Sequence, residues 1–199
     1  MKMIINRPNI LPQDGIALYY DKIVNDDEVK QLYDALLNNI HWENERVVMF
    51  GKEIITKRKV AFFSDPSITY RYASKTKIGL PWTDSLLTIK NRVESITKES
   101  YNACLLNLYH NGEESMGWHS DNEKEIITNS SIASLSLGAS RKFSFKHKET
   151  KETASIVLAS GSLLLMKGEC QTHWLHRLPP TKKTSEPRIN LTFRTIVKD

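Results

Sequence analysis

The chain has 199 residues, of which 40% are hydrophobic and 26% charged, enough for one compact domain whose core needs no disulfide staples. That balance excludes a disordered chain, and no apolar run is long enough to span a bilayer. Lysine and arginine total 28 against 23 acids, a formal charge of +5, which suits a polyanionic partner without requiring one.

Residues Met1 to Ile10 include Asn6, Arg7, Pro8 and Asn9 where a signal peptide needs an unbroken apolar stretch. A cytoplasmic protein is therefore expected, or a nuclear one in a eukaryotic source. Cys104 and Cys170 fit a reducing compartment, and Cys104 reads as a small buried thiol in an apolar run. Val29, Leu32, Tyr33, Leu36, Leu37 and Ile40 recur at helical spacing behind Asn25 or Asp26, predicting an amphipathic helix over 26–40. Residues 41–77 mix aromatics, turns and the basic residues Lys52, Lys57, Arg58 and Lys59, and read as a substrate-facing lid of hairpins or loops. His41, beside Trp42, reads as a packing residue. A second helix follows Pro81, with Thr83 and Asp84 as caps and Leu86, Ile89, Val93 and Ile96 at three- and four-residue intervals.

After Tyr101 the pattern changes to short strand-like runs at 104–109, 132–137, 142–146, 154–158, 162–166 and 189–197. Turn residues Asn111-Gly112, Gly138 and Ser160-Gly161 separate them. Lys146, His147, Lys148 and Lys151 read as a solvated hairpin end, with His147 and His110 facing solvent. The fold class predicted is mainly β with flanking helices (α+β), an antiparallel β-sandwich or jelly roll. One domain spans 1–199, with helices and lid in 1–100 and the sheet core in 101–199.

Within this frame lies Trp118-His119-Ser120-Asp121. Side chains two apart on an extended segment point to one side, so His119 and Asp121 can converge on one ion. Two imidazoles and a carboxylate occupy one face of an octahedral iron(II), leaving positions for a chelating cosubstrate and dioxygen. His173 and His176 both lie where a second imidazole is needed, and spacing alone does not separate them. Arg188, Asn190, Thr192 and Arg194 share one strand face, and an inward row that polar needs a ligand or water. The rigid fork of an arginine matches a carboxylate. Together these features point to Fe(II) with 2-oxoglutarate, and to a zinc site only if the arginines serve another purpose.

Several blocks in the same order resemble the AlkB family of nucleic-acid dealkylases: Asn107-Leu-Tyr109, Gly117-Trp-His119-Ser-Asp121, Ile132-Ala-Ser134, Arg141-Lys-Phe143, Gly161-Ser-Leu163, His173-Trp-Leu-His176-Arg-Leu-Pro179 and Pro187-Arg188-Ile-Asn190-Leu-Thr-Phe-Arg194. The resemblance implies a double-stranded β-helix (cupin-like) core in which His119, Asp121 and His176 hold iron. His173 then becomes a packing residue. It also implies a 2-oxoglutarate pocket of Asn107, Tyr109, Arg188, Asn190, Thr192 and Arg194. The reaction implied is oxidative demethylation of N-alkylated bases such as 1-methyladenine and 3-methylcytosine in DNA, or in RNA, using O2 and releasing formaldehyde, succinate and CO2.

Chemistry on a base requires taking it out of its stack. Met49-Phe50-Gly51 resembles the hydrophobic wedge of the duplex-DNA-preferring branch, with Phe50 entering the gap and Gly51 turning the finger; a hairpin core residue is the competing reading of Phe50. Arg58 matches a basic position of that branch, and Tyr70 and Tyr72 match the segment that lines the base pocket. Trp118 adjoins a metal ligand, Glu123 matches an acid that contacts an exocyclic amine or is a solvated loop acid, and Lys146 matches a phosphate contact. Ala73, and a short hairpin from His147 to Ala154, depart from the branch pattern. The alternatives are an oxygenase acting on a protein or small molecule, or a non-catalytic nucleic-acid-binding module. A monomer without membrane contact is expected.

Overall fold

The computed structural model describes residues 7–197 except 50, 51, 67, 73 and 74; at 47–49, 52–53, 69–72 and 75–77 it describes the backbone alone. Phe50 and Gly51 thus lie outside the described residues, and Tyr70 and Tyr72 are described only as backbone. In chain order the elements are β1 (Ile16–Tyr20), α1 (Asp26–Asn39), β2 (Glu43–Met49), β3 (Lys52–Ser64), β4 (Thr69–Tyr72), β5 (Lys75–Ile78) and α2 (Asp84–Thr97). There follow β6 (Ala103–Tyr109), β7 (Met116–His119), β8 (Ile132–Gly138), β9 (Arg141–His147), β10 (Thr153–Leu158), β11 (Leu163–Lys167), α3 (Cys170–His173), β12 (Trp174–Leu178) and β13 (Arg188–Arg194).

Two antiparallel sheets build the core. The larger runs β1-β11-β8-β13-β6-β3-β2 and the smaller β10-β9-β12-β7, while β4 and β5 form a separate ribbon. Phe143, Phe145, Trp174 and Leu178 of the smaller sheet pack with Tyr109, Leu164 and Met166 of the larger. The opposite face of the larger sheet is covered by Leu36 of α1 and Leu86, Ile89 and Val93 of α2.

Both helices start where capping chemistry directs. Asn25 accepts the Glu28 N–H while the Glu28 carboxylate accepts the Asn25 N–H, and Thr83 accepts the Leu86 N–H. Glu28 also takes both guanidinium nitrogens of Arg92, at 2.7 and 2.9 Å, which ties the two helices together. That hydrogen bond, with the Asn25 N–H, holds the Glu28 carboxyl down at about 2.

Strand β13 lies between β8 and β6, and every residue of it is buried. Ile189, Leu191 and Phe193 belong to the helix-side core. By alternation Arg188, Asn190, Thr192 and Arg194 face the smaller sheet. One strand thus anchors the hydrophobic layer and presents the polar row.

Three expectations need correction. The segment 41–77 is not wholly a lid, because Lys59 to Ser64 of β3 pair with Leu108 to Ala103 of β6 inside the larger sheet. Basic residues at 57–59 disguise the buried run Val60-Ala-Phe-Phe63 that follows. His147 is 2% exposed, not solvent-facing. Its ring abuts Trp174 at 5.0 Å and stacks on His173 at 6.0 Å. His41 is exposed, with its side chain 4.0 Å from Glu43. His110 is exposed as expected.

Candidate metal and cosubstrate site

Strands β7 and β12 pair so that His119 and His176 stand directly opposite each other. Their rings meet edge to face, centroids 4.3 Å apart. Asp121 follows just past the end of β7, with Oδ1 3.8 Å from His119 Nε2. Ligating atoms of His119, Asp121 and His176 all fall within 4.8 Å of one another. His173 faces away, in the stack with His147.

Each of the three is oriented by a neighbour. His119 Nδ1 lies 2.9 Å from the Gly117 carbonyl; a proton there leaves the Nε2 lone pair free toward the other two. Asp121 Oδ2 accepts a 2.8 Å bond from Arg194 Nη2, and its backbone N–H donates to Gln171 Oε1 at 2.9 Å. Phe143 stacks on His176 at 5.4 Å. Burial would raise the Asp121 carboxyl, but the Arg194 guanidinium, then His176 and His119, outweigh it and hold it down at about 2. Burial, followed by the charge of His119, pushes the His176 imidazole down to about 3. Near neutral pH the trio is therefore one carboxylate and a neutral His176, the states that bind metal.

A cavity opens beside the trio, lined by Asn107, Tyr109, Arg188, Asn190 and Thr192 with Met116, Phe143 and Met166. Arg188 is 2% exposed, and Nη2 donates to Ser136 Oγ at 2.9 Å while Nε has no partner. Its guanidinium lies 5.5 Å from the Tyr109 ring centroid, and those of Arg58 and Arg141 lie 5.8 and 5.9 Å away. Glu45 offsets Arg58, but no carboxylate is paired with Arg188 or Arg141 among the described residues. Burial lowers Arg188 to about 10.

The residues fit both groups implied by the sequence. Two imidazole nitrogens and Asp121 Oδ1 converge as an iron(II) donor set would. A buried cation lacking a counterion, with the orphaned donor Arg188 Nε, suits a dicarboxylate.

Some expected pocket residues have other partners. Asn190 donates to Ser134 Oγ and the Leu135 carbonyl and accepts from Thr192, so this part of the polar row is largely satisfied from within. Arg194 reaches Asp121 and does not line the cavity. Arg58 is buried, ion-paired with Glu45 and 3.2 Å from Met116 Sδ, so it bears on the cavity wall through Met116 and Tyr109. Glu123 lines a separate cavity together with Asp121 and Gln171, and its buried Oε2 has no partner. Trp118 and Lys146 lie together on the outer face of the smaller sheet.

Sequence reading missed Ser134, Ser136, Glu45, Met166 and Gln171. Ser134 and Ser136 carried a signal, since they alternate with apolar residues in the run 132–138. Gln171 carried none, because its role depends on α3 folding back onto Asp121.

A second grouping, Asp14, His147 and His173, also has metal-ligand spacing. Here the hydrogen bonds argue against an ion. His147 Nδ1 accepts the N–H groups of Glu149 and Thr150, so Nε2 carries the proton and donates to Asp14 Oδ2 at 3.2 Å. The cluster ties the segment before β1 to the β9–β10 turn.

The model of the 2OG-Fe(II) oxygenase superfamily matches residues 16–194. The DNA oxidative demethylase ALKBH2 of Bos taurus is 35% identical over 195 residues, covering 92% of this chain and 70% of that protein. The Homo sapiens protein of that name is 34% identical, covering 92% and 75%. The alpha-ketoglutarate-dependent dioxygenase alkB homolog 3 of Bos taurus is 35% identical over 182 residues, covering 86% and 63%. The solved structure of OsALKBH1, at 15% identity, has a TM-score of 0.61 and covers 90% of this chain and 97% of that one, a likeness of fold.

Proposed function

This chain belongs to the 2OG-Fe(II) oxygenase superfamily, and from that membership we propose that it is a DNA oxidative demethylase that removes N-methyl groups from bases such as 1-methyladenine and 3-methylcytosine. The observation that carries the reading is one cavity holding both the His119, Asp121 and His176 trio and an arginine without a counterion. Relatives named DNA oxidative demethylase align over most of the chain.

His119, Asp121 and His176 would hold Fe(II), with Arg194 keeping Asp121 ionised and turned so that Oδ1 faces the ion. Arg188 and Tyr109, supported by Asn107, Asn190 and Thr192, would take the far carboxylate of 2-oxoglutarate. The bound pair supplies the oxidation, in which 2-oxoglutarate and O2 become succinate and CO2 as the N-methyl carbon is hydroxylated. The hemiaminal then releases formaldehyde and the unmodified base. Phe143 and Met116 wall the cavity against water. Glu123, Trp118 and Lys146, with Phe50, Gly51, Tyr70 and Tyr72, remain the proposed substrate contacts, whereas Arg58 acts on the cavity wall through Met116 and Tyr109.

The reading extends to RNA as a second substrate and to a monomer in the cytoplasm, or in the nucleus of a eukaryotic source. No described helix is long and apolar enough to cross a membrane. Incubation of methylated duplex DNA, single-stranded DNA and RNA with the chain, iron, 2-oxoglutarate and ascorbate tests it. Formaldehyde and restored bases are expected, and no demethylation of any of the three would overturn it.

A further inference from the structure

The smaller sheet turns a different set of residues outward. Alternation directs His119, Phe143, Phe145 and His176 into the core, and their neighbours Trp118, Lys146 and Arg177 to the outer face. There the Arg177 guanidinium carbon lies 4.4 Å from the centroid of the Trp118 ring, and Lys146 Nζ lies 4.9 Å from it. The two charges are therefore at most about 9 Å apart.

This pair differs from several other cations of the fold. Arg58, Arg92 and Arg194 each have a carboxylate partner. Among the described residues neither Lys146 nor Arg177 has one within ion-pair distance, and the buried Nε of Arg177 has no hydrogen-bond partner. Two like charges on one ring are held by its π face but still repel each other, so an anion between or beside them relieves the repulsion. Lys142, exposed on the same face of β9, extends the positive strip.

Position and charge pattern select the anion. The strip lies on an open sheet face, unlike the enclosed cavity that suits a small anion. β7, which carries Trp118, is the edge strand of its sheet. A polymer backbone following that edge lies on the outer face, while a base turned over the edge enters the cavity on the inner face. A nucleic-acid strand carries one phosphate per roughly 3.4 Å of axis, so two cations this close meet phosphates only a few steps apart.

Resting on the reading of the cavity as a nucleobase site, we propose that Arg177 is a phosphate-binding residue. Held against Trp118 and acting with Lys146, it grips the backbone of the strand whose base enters the cavity. The ring keeps both cations at fixed spacing, which lowers the conformational entropy they lose on binding.

Fluorescence anisotropy of the iron- and 2-oxoglutarate-loaded chain under nitrogen, titrated into unmethylated duplex and single-stranded DNA over a range of salt, tests this. Arg177→Gln should reduce the slope of log K against log salt by about one, as should Lys146→Gln, with the double variant losing about two. Arg177→Lys should keep the wild-type slope. Thermal unfolding reports whether Arg177→Gln folds, and Lys146→Gln reads the same surface if it does not. Unchanged slopes in both glutamine variants would reduce the cluster to surface packing. A matching slope with an acidic peptide but none with DNA would overturn the nucleic-acid assignment. Wild-type demethylation of a methylated trinucleotide, too short to follow the edge, tests the cavity reading separately.

Discussion

Asp121 and Arg194 face each other across 2.8 Å in a place where neither meets solvent, their side chains 4% and 6% exposed. The guanidinium does two things for the carboxylate: it occupies Oδ2, leaving Oδ1 for a metal, and it keeps the group ionised against burial. Removing one partner of such a pair strands the other. Arg194→Gln is expected to destabilise the metal-free chain by about 3–5 kcal/mol, measured by urea unfolding, and to weaken iron binding. A variant of unchanged stability and affinity would show that Asp121 needs no such support.

The choice between the neighbouring histidines is open to direct measurement. His176→Ala is expected to abolish iron binding and turnover, since its ring stands opposite His119 and inside the trio. His173→Ala should retain measurable activity, because its ring stacks on His147 away from the cavity. Isothermal titration with iron or cobalt under nitrogen checks both, and the reverse pattern would move the ligand to His173.

His176 also predicts a pH dependence. Its imidazole is pushed below the ordinary value of 6.5 to about 3 in the folded chain, first by burial. Within that window an unfolded chain binds a proton that the folded one excludes, so stability of the metal-free protein rises with pH and is lost as pH falls. Between about pH 7 and about pH 5 the urea midpoint should fall, and His176→Gln should flatten the trend. An equally steep decline in the variant would assign the effect to other groups.

Glu45 and Arg58 form a buried pair that joins the β2–β3 hairpin to the cavity wall, through Met116 and the Tyr109 ring. Glu45→Ala leaves a buried guanidinium alone and should cost about 3–5 kcal/mol, whereas replacing both residues with methionine should cost much less. A double-mutant cycle with no coupling energy would remove the pair from the account of the wall.

The His119 and Asp121 pair and the polar row of β13 are legible because both obey the period of two of an extended strand: His119 with Asp121, and Arg188 with Asn190, Thr192 and Arg194. The helices were legible from spacing and caps, with Asp26 and Thr97 as their observed outer limits. The resemblance preferred His176 over His173, and the pairing of β7 with β12 brings the former into the trio. What was not legible depends on contacts between distant segments. Glu45 looks like one acid in a polar hairpin until Arg58 is seen against it, and β1 is five residues whose partner, β11, lies far along the chain. The charged neighbours of His147 suggest a solvent-facing ring and mask its packing against Trp174 and His173.

His119 and His176 are brought together by the pairing of β7 with β12, strands separated by four others and a helix in the chain. A polypeptide emerging from synthesis carries the His119 and Asp121 pair long before the second imidazole is in place, and cannot retain the ion with two donors as it would with three. Iron held by this trio would thereby be withheld from immature and partly unfolded molecules, and its binding would report completed assembly of the sheet.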